Sequence, residues 1–167
     1  QLMALEIRDK LGDKKEIIGS LNALGNAHTE LGQYTEAMSY FLKALKLAES
    51  TGDLIDLASL YNNIGRLHNL RLDNKNALDC YRKALEYNLK SGNRKWIATN
   101  LNNIGTIYDK KGDTLSALDH YRKALQVRED IGDRSGISSS LLNIGGIHLQ
   151  YRQYKTALPY YERSLAI

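Results

Sequence analysis

Displaced by forty residues, the sequence falls back onto itself without a gap, and no other property of the chain narrows its choice of fold so far. Leu101–Asp133 lies over Tyr61–Asn93 and over Leu21–Asp53, and its part Leu101–Val127 lies over Leu141–Ile167. Gly25, Gly65, Gly105 and Gly145 share a column, as do Ala37, Ala77, Ala117 and Ala157, then Phe41, Tyr81, Tyr121 and Tyr161, then Leu5, Leu45, Leu85, Leu125 and Leu165. A period this strict describes an array in which each unit buries its apolar face against the next. The expectation is one array over residues 1–167, with the tail of a preceding repeat at 1–12 and repeats at 13–52, 53–92, 93–132 and 133–167, the last truncated.

Inside one period the punctuation is local. Gly12-Asp13, Gly52-Asp53, Gly92-Asn93 and Gly132-Asp133 recur in register. Glycine accepts the left-handed conformation that closes a helix, and the next Asp or Asn side chain can take the free amides that open another. In the third repeat the pattern predicts a helix from Arg94 to Lys111, a break at Gly112-Asp113, and a second helix from Leu115 to Ile131. Ile97, Leu101, Ile104 and Tyr108 are spaced as one apolar helical stripe, which predicts core. Thr99, Asn103, Thr106 and Lys110, with Asn102 and Asp109 at the edge, form the opposite stripe and are expected to face solvent or a ligand. Gly105 and Ala117 are small enough to let the two helix backbones approach closely.

Composition removes several function classes. The net charge of +4 is mild, and basic and acidic residues interleave through every repeat, so the pattern reads as a solvated helical surface and not as a nucleic-acid footprint. A lone cysteine, Cys80, excludes an internal disulfide and suits a reducing, cytoplasmic compartment. No apolar run reaches the length of about 18 residues that a membrane span requires. QLMALEIRDK lacks the regions of a signal peptide. Ala4, Leu5 and Ile7 match Ala124, Leu125 and Val127, so the segment reads as cut from a longer array. Leu2, Leu5 and Ile7 at one end, and Leu158, Leu165 and Ile167 at the other, then lack capping repeats, which predicts end-to-end contacts between copies.

Leu101-x-x-Ile104-Gly105-x-x-Tyr108 followed by Ala117-x-x-x-Tyr121 resembles the tetratricopeptide repeat, and the resemblance covers essentially the whole chain. The period of forty, closed by Gly-Asp, departs from the usual period of about 34 closed by proline, and implies longer helices and a wider groove. Similar forty-residue versions occur in kinesin light chains, in spindle-orienting adaptors and in bacterial sensor kinases and transcription regulators. The wording NNIGxIYxxxGD and SALxxYRKAL is most like the bacterial regulators. The resemblance implies an all-α, right-handed superhelical solenoid of antiparallel helix pairs, whose first helices line a concave groove for a peptide or partner helix. Asn63, Asn103 and Asn143 fall where several family members present an asparagine ladder to a peptide backbone, and an amide's donors and acceptor match a peptide unit without demanding a particular side chain. Ala23 interrupts that column, and Asn26 and Arg66 could supplement it. Members that clamp acidic chaperone tails carry Lys and Arg at positions held here by Asn22, Asn62 or Asn102, by Ser59, Thr99 or Ser139, and by Asn63, Asn103 or Asn143, so that function is not expected.

Residues that could do chemistry read more simply as packing. His28, His68 and His148 share a column with Tyr108, and His120 and Cys80 share one with Tyr40 and Tyr160. Helices spaced at about 8–10 Å keep successive repeats' histidines too far apart to share a zinc. Ser138, Ser139 and Ser140 have no base in sequence to activate a nucleophile, and no phosphate-cradling loop is present. Most tyrosines fall on core columns, and the Arg82-Lys83, Arg122-Lys123 and Lys43 stripe suits an exposed outer face. Pro159, several residues into a second helix, predicts a late start or slight kink.

The reading is therefore a non-enzymatic scaffold with no cofactor, no metal and no catalytic residue, binding a protein or peptide through Asn22, Asn26, Asn62, Asn63, Arg66, Asn69, Thr99, Asn102, Asn103, Thr106, Asp109, Lys110, Asn143, Gly146 and Gln150. The competing reading is a sensory domain of a larger bacterial signalling protein, a histidine kinase or transcription regulator. Ala117→Phe should overpack the close helix pair and lower stability by about 1–3 kcal/mol, and an unchanged thermal melt would show the pairing to be wrong.

Overall fold

The computed structural model describes residues 14–167. The helical tail expected over residues 1–11, its Gly12-Asp13 closure and the apolar Leu2, Leu5 and Ile7 lie outside the described residues. Every described element is an α-helix. By compactness the chain divides into two units, one ending at Ser91 and one spanning Gly92–Ile167. The first holds α1 (Lys14–Glu30), α2 (Tyr34–Thr51), α3 (Leu54–Leu70) and α4 (Asn74–Ser91). The second holds α5 (Arg94–Lys110), α6 (Thr114–Asp130), α7 (Arg134–Gln150) and α8 (Tyr154–Leu165). In the first unit α1 packs on α2 and α3 on α4, with α3 also against α2 and touching α1; in the second, α5 packs on α6, α6 on α7 and α7 on α8.

The punctuation works as its chemistry requires. At the end of α2, Gly52 adopts φ 69° and returns its amide to the Ala48 carbonyl, while the Asp53 carboxylate accepts the amides of Ile55 and Asp56 to open α3. Asn93, Asp113 and Asp133 accept the amides of Trp96, Ser116 and Gly136 in the same way. At Asp53 and Asp113 these bonds favour the ionised cap. The Asp56 amide holds Asp53, and the Ser116 hydroxyl and amide hold Asp113, below the ordinary carboxylate value of 3.8. Their support is complete above that value and is lost as the pH falls through the lowered one.

Each helix pair closes on one contact. A Cβ added to Gly105 would lie 2.8 Å from the Tyr121 ring and 3.3 Å from the Ala117 carbonyl oxygen, so a bare backbone is what lets α5 meet α6. The same column repeats it, with Gly25 facing Phe41, Gly65 facing Tyr81 and Gly145 facing Tyr161. Phe41 is wholly buried, and Ala37, Ala77 and Ala117 beside these rings are buried completely.

Two expectations change in the packing. Of the predicted core stripe on α5 only Ile104 is fully buried, with Ala98, Asn100 and Ile107, while Ile97, Leu101 and Tyr108 are half-buried. The buried arc on α5 is wider than one apolar stripe, since it takes in Ala98, Asn100 and Ile107 beside Ile104. The helix carrying Pro159 does not start late. α8 begins at Tyr154, in register with α2, α4 and α6, and runs through the proline, which withholds an amide from the Lys155 carbonyl. Leu158 and Leu165 are exposed, and no described helix is long and apolar enough to cross a membrane.

The turn within each pair calls for a left-handed residue, which Gly32 and Gly112 supply at φ 73° and 77°. Leu72 and Arg152 adopt φ 60° and 57° at the same column. Leu72 is 78% exposed, so burial does little to offset that strain. A left-handed side chain costs about 1–2 kcal/mol, against roughly 0.4–1 kcal/mol for the added freedom of an unfolded glycine. Leu72→Gly should therefore raise stability by about 0.5–1 kcal/mol, read as a melting temperature higher by about 1–4 °C; a lower melt would show that the leucine is held by packing.

Candidate functional site

The asparagines of the first helices sit where the glycine column places them. Gly65 and Gly105 face the second helix of their pair, so Asn63 and Asn103, two residues earlier, are turned away from it by roughly 200° of helical rotation. In the first unit Asn63 Nδ2 donates to Asn22 Oδ1 at 2.8 Å, and Asn22 Nδ2 donates to Ser59 Oγ at 3.4 Å, joining α3 to α1. In the second unit Asn143 Nδ2 donates to Asn102 Oδ1, also at 2.8 Å, joining α7 to α5. Within each unit, then, an asparagine of one repeat holds an asparagine of the repeat before it. All four are half-buried. A carboxamide offers two donors and an acceptor with two lone pairs, so a pair bonded once keeps both kinds of group for another peptide unit.

Other predicted residues sort by what they touch. Arg66 Nη1 donates to Glu30 Oε1 at 2.8 Å, a second tie between α3 and α1. Asn69 hydrogen-bonds the Tyr81 hydroxyl, and Thr106 Oγ1 accepts the Tyr121 hydroxyl at 3.2 Å, so both serve their own helix pair. Burial pushes the Tyr81 phenol up to about 12. Thr99 Oγ1 turns back to the Lys95 carbonyl. Lys110 and Gln150 are exposed, whereas Asn26, Asn103, Asp109 and Gly146 are half-buried. Asn62 is 8% exposed, so it belongs to the interior and not to an open face. The stripe of Thr99, Asn103 and Thr106, expected to be turned outward, is half-buried as well.

The histidine column packs as rings. His28 stacks on Tyr40 with centroids 5.0 Å apart, Tyr108 lies 5.2 Å from His120, and His148 stacks on Tyr160 at 5.7 Å. Nδ1 of His28 lies 2.6 Å from Gln33 Oε1, that of His68 3.1 Å from Asp73 Oδ2, and that of His148 2.6 Å from Gln153 Oε1. Each imidazole is fixed by the residue that opens the next helix.

A buried guanidinium was not foreseen. Arg128 is 7% exposed, and its Nη1 donates to the Gly136 carbonyl at 2.9 Å and to Ser140 Oγ at 2.6 Å. Burial pushes its pKa down, with the charge of Asp133 acting against the shift. A Cβ on residue 136 would come within 2.7 Å of the Arg128 side chain. The signal lay in comparing columns: Ala48, Asn88, Arg128 against Leu60, Asn100, Ser140, apolar in one repeat and polar in the next two. All six are buried.

The tetratricopeptide repeat model matches residues 16–90, 56–130 and 96–167, and the chain belongs to the tetratricopeptide-repeat family. It is thereby a repeat scaffold of the kind that engages proteins. No curated protein sequence matches it. Among solved structures it is similar to the apo form of RapI, at 21% identity and TM-score 0.86 over 97% of this chain and 59% of that one. It is similar to BtubC from P. vanneervenii, at 19% and 0.80 over 96% and 75%. A third likeness is to a signal transduction ATPase with a tetratricopeptide repeat sensor, PH0952 from Pyrococcus horikoshii, at 22% and 0.81 over 88% and 23%. At these identities the likeness is one of fold.

Desolvation raises the Cys80 thiol from its ordinary 9.0 to about 11. Its alkylation by iodoacetamide should keep climbing tenfold per pH unit past pH 9, where an exposed thiol begins to level off. The neutral thiol favours the folded state below pH 9, and that support is lost as the pH rises toward 11. A rate that levels near pH 9 would show Cys80 to be solvated.

Proposed function

We propose that the chain holds an extended peptide or a partner helix along the asparagine seam of its first helices, mainly by hydrogen bonds to the partner's backbone. The supporting observation is the pair of identical contacts, Asn63 to Asn22 and Asn143 to Asn102, each 2.8 Å. They hold the carboxamides in fixed orientations before any partner arrives, which reduces the ordering cost of binding. A carboxamide pairs with any peptide unit, so this seam supplies affinity while its neighbours, such as Arg66, Lys110 and Gln150, supply preference. Each bond nets about 0.5–1.5 kcal/mol, so several repeats have to act together. The fold shared with PH0952, a signal transduction ATPase with a tetratricopeptide repeat sensor, supports a second reading, in which the array is the sensory part of a larger signalling protein. A coding sequence that joins the array to a kinase or DNA-binding segment would favour it.

Changing Asn63, Asn103 and Asn143 together to Ala should weaken a partner recovered by pull-down at least tenfold, equivalent to about 1.4 kcal/mol, with helical content retained by circular dichroism. Unchanged affinity would move the site to another face.

A further inference from the structure

Three of the four repeats fill one slot between the paired helices with two rings, and the second repeat supplies only one. The pairs are His28 with Tyr40, Tyr108 with His120, and His148 with Tyr160. At the same columns the second repeat has His68 and Cys80. Where the second ring would stand there is an open pocket of about 460 Å³, lined by His68, Asn76, Asp79, Cys80, Arg82 and Lys83. The pocket lies wholly within the first unit, on α3 and α4.

Its walls suit a ring. Asp73, through Oδ2 3.1 Å from Nδ1, holds the His68 imidazole at the pocket wall. The Cys80 thiol, its pKa raised by burial, stays neutral and offers a small, soft, weakly polar floor. In the first repeat Lys43 lies over the Tyr40 ring, 5.7 Å from its centroid. Lys83 is its counterpart one period on, and with no ring at position 80 it lies over Tyr61 instead, at 4.9 Å. Stacking on an imidazole and a cation over the ring face are thus the two contacts the fold already gives an aromatic residue at this column, and both groups line the pocket. An aliphatic side chain could fill the volume but could use neither.

We propose that this pocket binds an aromatic side chain, tyrosine in the first instance, presented by a partner peptide, which completes from outside the ring pair that the other repeats complete from within. The site stands apart from the asparagine seam and does not depend on it.

The test uses the full chain with its histidine rings labelled, following the His68 Cε1–Hε1 resonance while acetyl-Gly-Tyr-Gly-amide or acetyl-Gly-Leu-Gly-amide is added. The tyrosine peptide should shift that resonance by its ring current and saturate in the millimolar range, and the leucine peptide should leave it in place. Cys80→Tyr, which fills the slot as Tyr40 and Tyr160 do, should weaken the tyrosine response at least tenfold while melting no lower than the parent. His68→Leu, followed from the ring protons of the peptide, should weaken binding to a similar degree. A parent that responds to both peptides alike or to neither, or a tyrosine response that survives either substitution, overturns the proposal.

Discussion

The structure depends on how closely the two helices of a pair can approach. An aromatic ring on the second helix presses against a glycine on the first, so close that a methyl group on Gly25 would lie 2.5 Å from Phe41 and one on Gly65 or Gly105 2.8 Å from a tyrosine ring. Phe41, Tyr81 and Tyr121 are almost wholly buried there, and the alanine column beside them is covered. Apolar area removed from water stabilises by roughly 25 cal/mol per Å², so one large ring in every pair is a major term in a repeat's stability. Because the contact recurs every forty residues, the polar columns beside it recur at fixed rotation, and the asparagine seam follows from the same spacing.

Polar bonds tie one repeat to the next. The half-buried Asn22 and Asn63, Asn102 and Asn143, and the exposed ion pair of Arg66 and Glu30 each join a first helix to the next first helix of its own unit. Arg128 is the costly member of this set, since a guanidinium out of water has to be repaid by its acceptors. Gly136 opens the space it needs, and the Gly136 carbonyl and the Ser140 hydroxyl receive one of its nitrogens. The serine run that begins α7, with no catalytic base beside it in sequence, thus has a structural use for at least one member.

Where a repeat departs from its siblings, the departure marks either strain or opportunity. Leu72 and Arg152 occupy a backbone conformation that Gly32 and Gly112 adopt without penalty. Cys80 replaces a ring and leaves a pocket. Substitutions of this kind are invisible to a consensus and visible only when each column is read residue by residue.

From the sequence alone, the period, the punctuation and the core columns were determined. Glycine before Asp or Asn can do little but end one helix and begin another, and α5 and α6 fall within a residue or so of the limits read for Arg94 to Lys111 and Leu115 to Ile131. Which side of a first helix is open was decided only in three dimensions. Helical periodicity reports one apolar stripe, whereas a helix between two neighbours, as α3 lies between α2 and α4, buries a wider arc, so Asn62 is enclosed; on α5 Thr99, Asn103 and Thr106 are half-covered. The bonding of Asn63 to Asn22, the burial of Arg128 and the pocket beside His68 join residues on different helices. Spacing along the chain sets which way a side chain points, but only tertiary packing sets what it meets.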